Sequence, residues 1–342
     1  MPKVPKITVN NGESDRSSES NNTLDCENTV SETRCSVSKI EDNEHYALGK
    51  EFDFDEESRN GNILPKAVDF LKGCDIARKI LADLYEYDMY SYIHTVQMLN
   101  LGCSLIESHS KELKNVLMIT ENKRGNSWMD LAFDDYKETF LGAIVMHDYG
   151  KIKVERKLIN TGKFVGGQYK RMQKHAIETV NIITDEVVGK VTDDLSNESK
   201  KKVISKILNS DDYPEQKRLL KMLYMASRHH INKGYPSVQE LNMVLPDYEL
   251  WLESTGNEQG SILAIMDIFD ARRSTRSYKE EHDEDDIKFD LNEEFKNIAE
   301  EQDFFREFID CISSKTWVKM NGSNDYEVHR EAMDRKYPNN GK

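Results

Sequence analysis

The chain has 342 residues, 37% of them hydrophobic and 32% charged, with a formal net charge of -15. That balance is polar for a wholly folded chain, so part of it is expected to stay unfolded. The excess of carboxylates argues against a basic surface for a nucleic-acid polymer, so an anionic substrate would need a local positive site made by metal ions or clustered Arg and Lys.

Residues 1–60 are rich in Ser, Asn, Glu and Asp, lack sustained periodicity and read as a disordered polar tail. From residue 65 apolar side chains recur at three and four. Leu81, Leu84, Met89, Ile93, Val96, Leu99 and Leu101 keep that rhythm, which predicts helix with a break near Gly73. "WMDLAFDDYKETFLGAIVMHD" is a further helical segment ending at Gly150, and "GQYKRMQKHAIETVNIITDEVVGKV" is another. "SKKKVISKILNS" follows, with Ser196 and Ser199 as candidate caps, and then "PEQKRLLKMLYMASRHH", where Pro214 suits a helix start. "GSILAIMDIFDARRSTRS" and "LNEEFKNIAEEQDFFREFIDCI" complete the body. Alternating strand patterns are almost absent. The predicted architecture is an all-α body over 65–315 and a polar C-terminal tail over 316–342. Cys26, Cys35, Cys74, Cys103 and Cys311 are scattered without a CxxC pair, against a disulfide framework or a zinc–thiolate site. No stretch has the apolar length of a membrane span and the N-terminus lacks a signal-peptide core, so a cytoplasmic location is the expectation.

His94, His147, His175, His229 and His230 fall at or near helix ends on apolar faces, and Asp148 and Asp267 accompany them. A single His in such a place is most simply a hydrogen-bonded core residue. A set of five spread over successive helices is different. If the helices bundle, neutral imidazoles and carboxylates can converge on divalent transition metals such as Mn, Fe, Zn or Ni. Asp148, with two oxygens, could bridge a pair of ions, the arrangement that activates water at neutral pH. Asp267 and Asp270 lie three apart on one helix and share a face. Arg276 and Lys279 follow, either as a solvated helix end favoured by the macrodipole or as phosphate contacts.

In order along the chain, His94, "HDYGKI" (147–152), His175, "HHINKGYP" (229–236) and "AIMDIFDARRSTRSYK" (264–279) resemble the HD-GYP family, a branch of the HD-domain metal-dependent phosphohydrolases. The resemblance covers about residues 90–280 and implies an HD-domain helical bundle. It implies one metal held by His94, His147, Asp148 and Asp267, and a second held by His175, His229 and His230 with Asp148 shared. Two divalent ions, Fe, Mn or similar, would be the cofactors. Lys151 matches a lysine that faces substrate phosphate. Asp270, Arg276 and Lys279 match positions lining the active site, Asp270 as a candidate catalytic acid. Gly234, Tyr235 and Pro236 match the loop that names the family, where Tyr235 either stacks on a base or only packs. The implied activity is hydrolysis of a cyclic dinucleotide, cyclic di-GMP or a cGAMP-like molecule, to linear or mononucleotide products.

The sequence departs from the family at several points. Tyr90 stands one turn before His94, where some members carry a glutamate for a third metal. The run before Gly234 is the short "INK", the segment 235–261 is long, and extra sequence lies between His94 and His147 and between His175 and His229. Other readings are an HD-domain phosphohydrolase acting on another nucleotide or cyclic signal, a catalytically silent HD domain used for binding or regulation, and a plain helical scaffold. Metal content separates the last two from the enzymes. A panel of cyclic dinucleotides separates the enzymes from each other.

Overall fold

The computed structural model describes residues 53–59, 62–117, 135–159, 164–193, 196–253, 257–273 and 283–296, together with 308, 309 and 312. Every regular element among the described residues is helical, as the periodicity predicts. The predicted N-terminal tail lies outside the described residues as far as 52, and the C-terminal tail over 316–342 lies outside them altogether.

One boundary moves. Helix α1 (Phe54–Arg59) falls inside the segment predicted as tail. Asp53 caps it, its Oδ1 accepting from the N–H groups of Asp55 at 2.9 Å and Glu56 at 3.1 Å. Asp55, Glu56 and Glu57 place negative charge on its first turn. Asn62 ties the end down, donating from Nδ2 to Glu57 Oε2 at 2.8 Å. Acidic composition therefore hid a short, well-capped helix.

Three helices follow where two are predicted: α2 (Pro65–Gly73), α3 (Asp75–Tyr87) and α4 (Met89–Ser108). The break after Gly73 is present. The second falls at Asp88, whose Oδ2 accepts from Ser91 N at 2.9 Å and Ser91 Oγ at 2.8 Å, an N-cap that starts α4 afresh. After α5 (Ser110–Leu117), α6 (Asp135–Met146) runs to a 3-10 turn over Tyr149–Lys153. The earlier part of that predicted segment, 128–134, lies outside the described residues.

Short α7 (Arg156–Ile159) precedes the long α8 (Gln168–Gly189). α9 (Asn197–Leu208) is capped by Ser196, and α10 (Pro214–Ala226) opens on Pro214, as predicted. A 3-10 turn over Ile231–Lys233 leads to α11 (Val238–Val244), which has a capping box between Ser237 and Glu240, and to α12 (Tyr248–Trp251). α13 (Asn257–Arg273) carries the Asp267 segment. α14 (Glu284–Glu294) begins well before the predicted start at Leu291, because Asp283 caps it by accepting from Asp285 N at 2.9 Å.

α6 is apolar nearly all round, from Phe140 to Met146, and such a helix must be surrounded. It packs against α4 on one side and α10 on another, while α13 lies on α4 and α8 lies along the 3-10 turn that follows α6. The C-terminal end of α6 thereby becomes the point on which four other segments converge. No helix among the described residues is long and apolar enough to cross a membrane.

Candidate metal centre

His147 and Asp148 sit where α6 stops, both fully enclosed. α4 brings His94, α8 brings His175, the end of α10 brings His229 and His230, and α13 brings Asp267. Among the described residues their donor atoms form two groups: His94, His147 and Asp267, and Asp148, His175, His229 and His230. The second has the members the resemblance implies for one ion, and the first lacks only Asp148, whose other oxygen faces it. Its Oδ2 lies 3.3 Å from His147 Nε2 and 3.7 Å from His94 Nε2, and its Oδ1 lies 3.2 Å from His175 Nε2 and 3.9 Å from His229 Nε2. Asp267 Oδ1 is 3.0 Å from His94 Nε2.

One backbone device orients three of the rings. His147 Nδ1 donates to the Ile144 carbonyl at 2.6 Å, His175 Nδ1 to Met172 at 2.5 Å, and His229 Nδ1 to Ala226 at 2.8 Å. A carbonyl can only accept, so Nδ1 carries a proton in each ring and Nε2 is turned inward. His94 is held from outside too, Nδ1 donating to Asp270 Oδ2 at 2.6 Å.

The centre is thus a convergence of ring nitrogens and carboxylate oxygens. The Nε2 atoms of His94 and His147 stand 3.2 Å apart, those of His175 and His230 stand 3.0 Å apart, and His229 Nε2 is buried without a hydrogen-bond partner. Ring nitrogens and carboxylate oxygens at these separations share either protons or a metal ion. At His229 and His230 an added proton is disfavoured. Burial and then the neighbouring His147 push His229 down to about 3, and burial with His229 and His175 holds His230 well below its ordinary value. A divalent metal ion matches the donor set, neutral imidazole plus carboxylate. His94 is the exception. Burial opposes its charge, but Asp267 and Asp270 outweigh burial and raise it to about 9, so a metal must displace that proton. Burial alone would raise the Asp148 carboxyl, yet Lys151, then His147 and His175, hold it well below the usual carboxylate range. His94 does the same for Asp267 against the effect of burial.

The remaining predicted residues divide. The Lys151 ammonium is ion-paired with Asp148 Oδ2 at the edge of the cluster, with 15% of its side chain exposed. Asp270 lies behind His94 and is fully buried, so it contacts the ring rather than an open site. The resemblance gives this residue as a candidate catalytic acid, and here its Oδ2 accepts from His94 Nδ1. Tyr235 stands over His230, ring centroids 4.5 Å apart, with Gly234 in the left-handed conformation before it (φ 69°) and Pro236 buried after it. Arg276 and Lys279 lie outside the described residues.

Three further contributors have no ligand chemistry to reveal them in the sequence. A Cβ on Gly150 would overlap the His175 carbonyl oxygen and stand 2.5 Å from Thr179 N, so only glycine lets α8 come this close to the 3-10 turn. The Thr179 hydroxyl accepts from Gly150 N at 2.8 Å and lies 3.2 Å from the His147 carbonyl. Glu294 of α14 accepts from Asn232 Nδ2 and Lys233 Nζ and lies 3.5 Å from Arg272 Nη2, joining the turn after His230 to the end of α13. No family model, curated protein or solved structure matches the chain.

Proposed function

We propose that the chain is a metal-dependent phosphodiesterase of the HD-GYP type that hydrolyses a cyclic dinucleotide. The observation that carries this reading is the pair of buried acceptor groups meeting at one carboxylate, Asp148, whose two oxygens face different imidazoles. His94, His147 and Asp267 would hold one divalent ion, His175, His229 and His230 the other, with Asp148 common to both. Iron or manganese suits the mix of imidazole and carboxylate. When bound, such a pair activates water at neutral pH and polarises a phosphoryl oxygen.

The chain's own residues supply the rest. Backbone carbonyls and Asp270 fix four of the five rings, which keeps their Nε2 atoms turned inward. Lys151, the partly open cation beside Asp148, is positioned to meet the charge that builds on phosphate oxygens. Asp270, committed to His94, leaves protonation of the departing 3′ oxygen to water. Elemental analysis after anaerobic purification, followed by cyclic di-GMP, cyclic di-AMP and cGAMP isomers resolved by chromatography, tests the reading. Close to two ions per chain and turnover of one cyclic dinucleotide are expected. Metal without turnover of any of them would move the chain to an HD phosphohydrolase of another nucleotide. Absence of metal would move it to a silent domain.

A further inference from the structure

The stretch between His147 and His175 differs from the rest of the chain. It holds eight Lys and Arg against Asp148 and Glu155, a net charge of +6 in a chain whose total is -15. It also holds three of the five large apolar side chains exposed among the described residues: Phe164 at 36%, Val165 at 65% and Tyr169 at 43%. These three are not scattered. The ring of His230 lies 4.5 Å from that of Tyr235, Tyr235 lies 6.4 Å from Tyr169, and Tyr169 lies 5.8 Å from Phe164. Tyr235 is also 6.4 Å from the His175 ring. A continuous series of rings therefore runs from two candidate metal ligands at its buried end to water at the other.

The outer end is already formed. Gly166 takes a positive φ of 58° and the Gln168 side chain accepts from Val165 N at 2.8 Å, so the turn that presents Phe164 and Val165 is hydrogen-bonded to the first residue of α8. Lys170, Arg171 and Lys174 follow on the same helix and are exposed, Arg171 being paired with Glu155 at 2.7 Å. Exposed apolar rings grouped next to a buried polar centre mark a binding surface. Rings interleaved with cations suit one ligand chemistry, a planar heterocycle carrying an anion.

We propose that Tyr169 and Phe164 form a base-stacking subsite for a nucleotide whose phosphodiester reaches the metal centre, with Tyr235 joining the two. This rests on the phosphodiesterase reading above and adds the half of the site that recognises the base. Stacking is tolerant of base identity, so the subsite would set affinity more than the choice among purines.

The test uses the full chain loaded with manganese and a phosphorothioate-linked dinucleotide carrying 2-aminopurine, whose fluorescence is quenched on stacking. Quenching is expected with the wild-type protein. A Phe164→Ala/Tyr169→Ala protein is expected to lose the quenching and to bind the probe about tenfold or more weaker, with its metal content and melting temperature retained. Tyr169→Phe is expected to restore it, since the ring stacks and not the hydroxyl. In turnover of a cyclic dinucleotide the double variant should raise KM far more than it lowers kcat. Equal quenching in wild type and double variant, or a Tyr169→Phe protein as weak as Tyr169→Ala, would overturn the subsite. A wild-type chain that turns over cyclic dinucleotides without quenching the probe would sink the subsite and leave the enzymatic reading standing. Quenching without turnover would do the reverse.

Discussion

At the scale of single residues, the centre separates groups that would hold ions from groups that hold those groups. Asp270 belongs to the second kind, with its charge spent on His94 Nδ1 at 2.6 Å. Asp270→Asn keeps an acceptor and removes the charge, so His94 should remain in place but become a poorer donor. An outer partner of this type typically changes metal affinity by about 10–100-fold, and titration of metal-free protein with Mn(II) should show a loss in that range. Unchanged affinity would mean that the ring is held by packing alone. Lys151 calls for the opposite outcome. Its ammonium is ion-paired with Asp148 and is not a ligand, so Lys151→Ala should keep the ions while the rate falls by about 10²–10³, the usual cost of removing a preorganised charge aimed at the transition state. Loss of metal from that variant would assign Lys151 a structural role only. The candidate ligands were legible in the sequence because His and Asp are costly to place at the ends of apolar helices without a partner. The atoms that orient them were not, since three of the four partners are backbone carbonyls one turn back, and a carbonyl has no letter.

At the scale of elements, the centre depends on one close approach. α8 lies against the 3-10 turn because Gly150 has no side chain, and that contact is what carries His175 to within 3.2 Å of Asp148. Gly150→Ala would set a methyl group against backbone that cannot yield cheaply. Overpacking of this kind costs about 1–3 kcal/mol, and relief requires α8 to move away with His175. The expected result is a lower melting temperature and selective loss of one ion, the one His175 would hold. A variant retaining both ions and full stability would show that α8 is not positioned by this contact. Gly150 could be read as part of a motif, but its partner, the α8 backbone at His175, appears only once the helices pack. The same is true of Glu294, which joins two segments through Asn232, Lys233 and Arg272. The helices were visible wherever apolar spacing was sustained. Where a cap decided the boundary, α1 was missed and the starts of α4 and α14 were misplaced, at Asp53, Asp88 and Asp283.

At the scale of the whole molecule, an acidic chain concentrates positive charge on the segment beside its buried acceptors. Such a local field would steer an anionic substrate despite the total charge, and the effect should weaken with salt. No candidate ligand lies in 1–52, so a chain beginning at Asp53 should keep its metal content and most of its turnover. A chain beginning at Asn62 loses α1 and the hydrogen bonds Asn62 makes to Glu57. At about 1 kcal/mol for a typical hydrogen bond, it should melt a few degrees lower with its chemistry intact. Loss of turnover in the Asp53 protein while its melting stayed unchanged would place part of the N-terminal region in the site.

The central claim is that two ions share Asp148, and metal content per chain of the wild type beside Asp148→Ala measures it most directly. The substitution removes the carboxylate whose two oxygens face imidazoles of both groups and leaves His147, His175 and His229 without the one anion they all face. Close to two ions per wild-type chain are expected, and close to none in the variant, with hydrolysis lost alongside them. An Asp148→Ala protein that kept two ions and near-normal turnover would contradict the shared carboxylate and return His147 and Asp148 to the role of ordinary core residues.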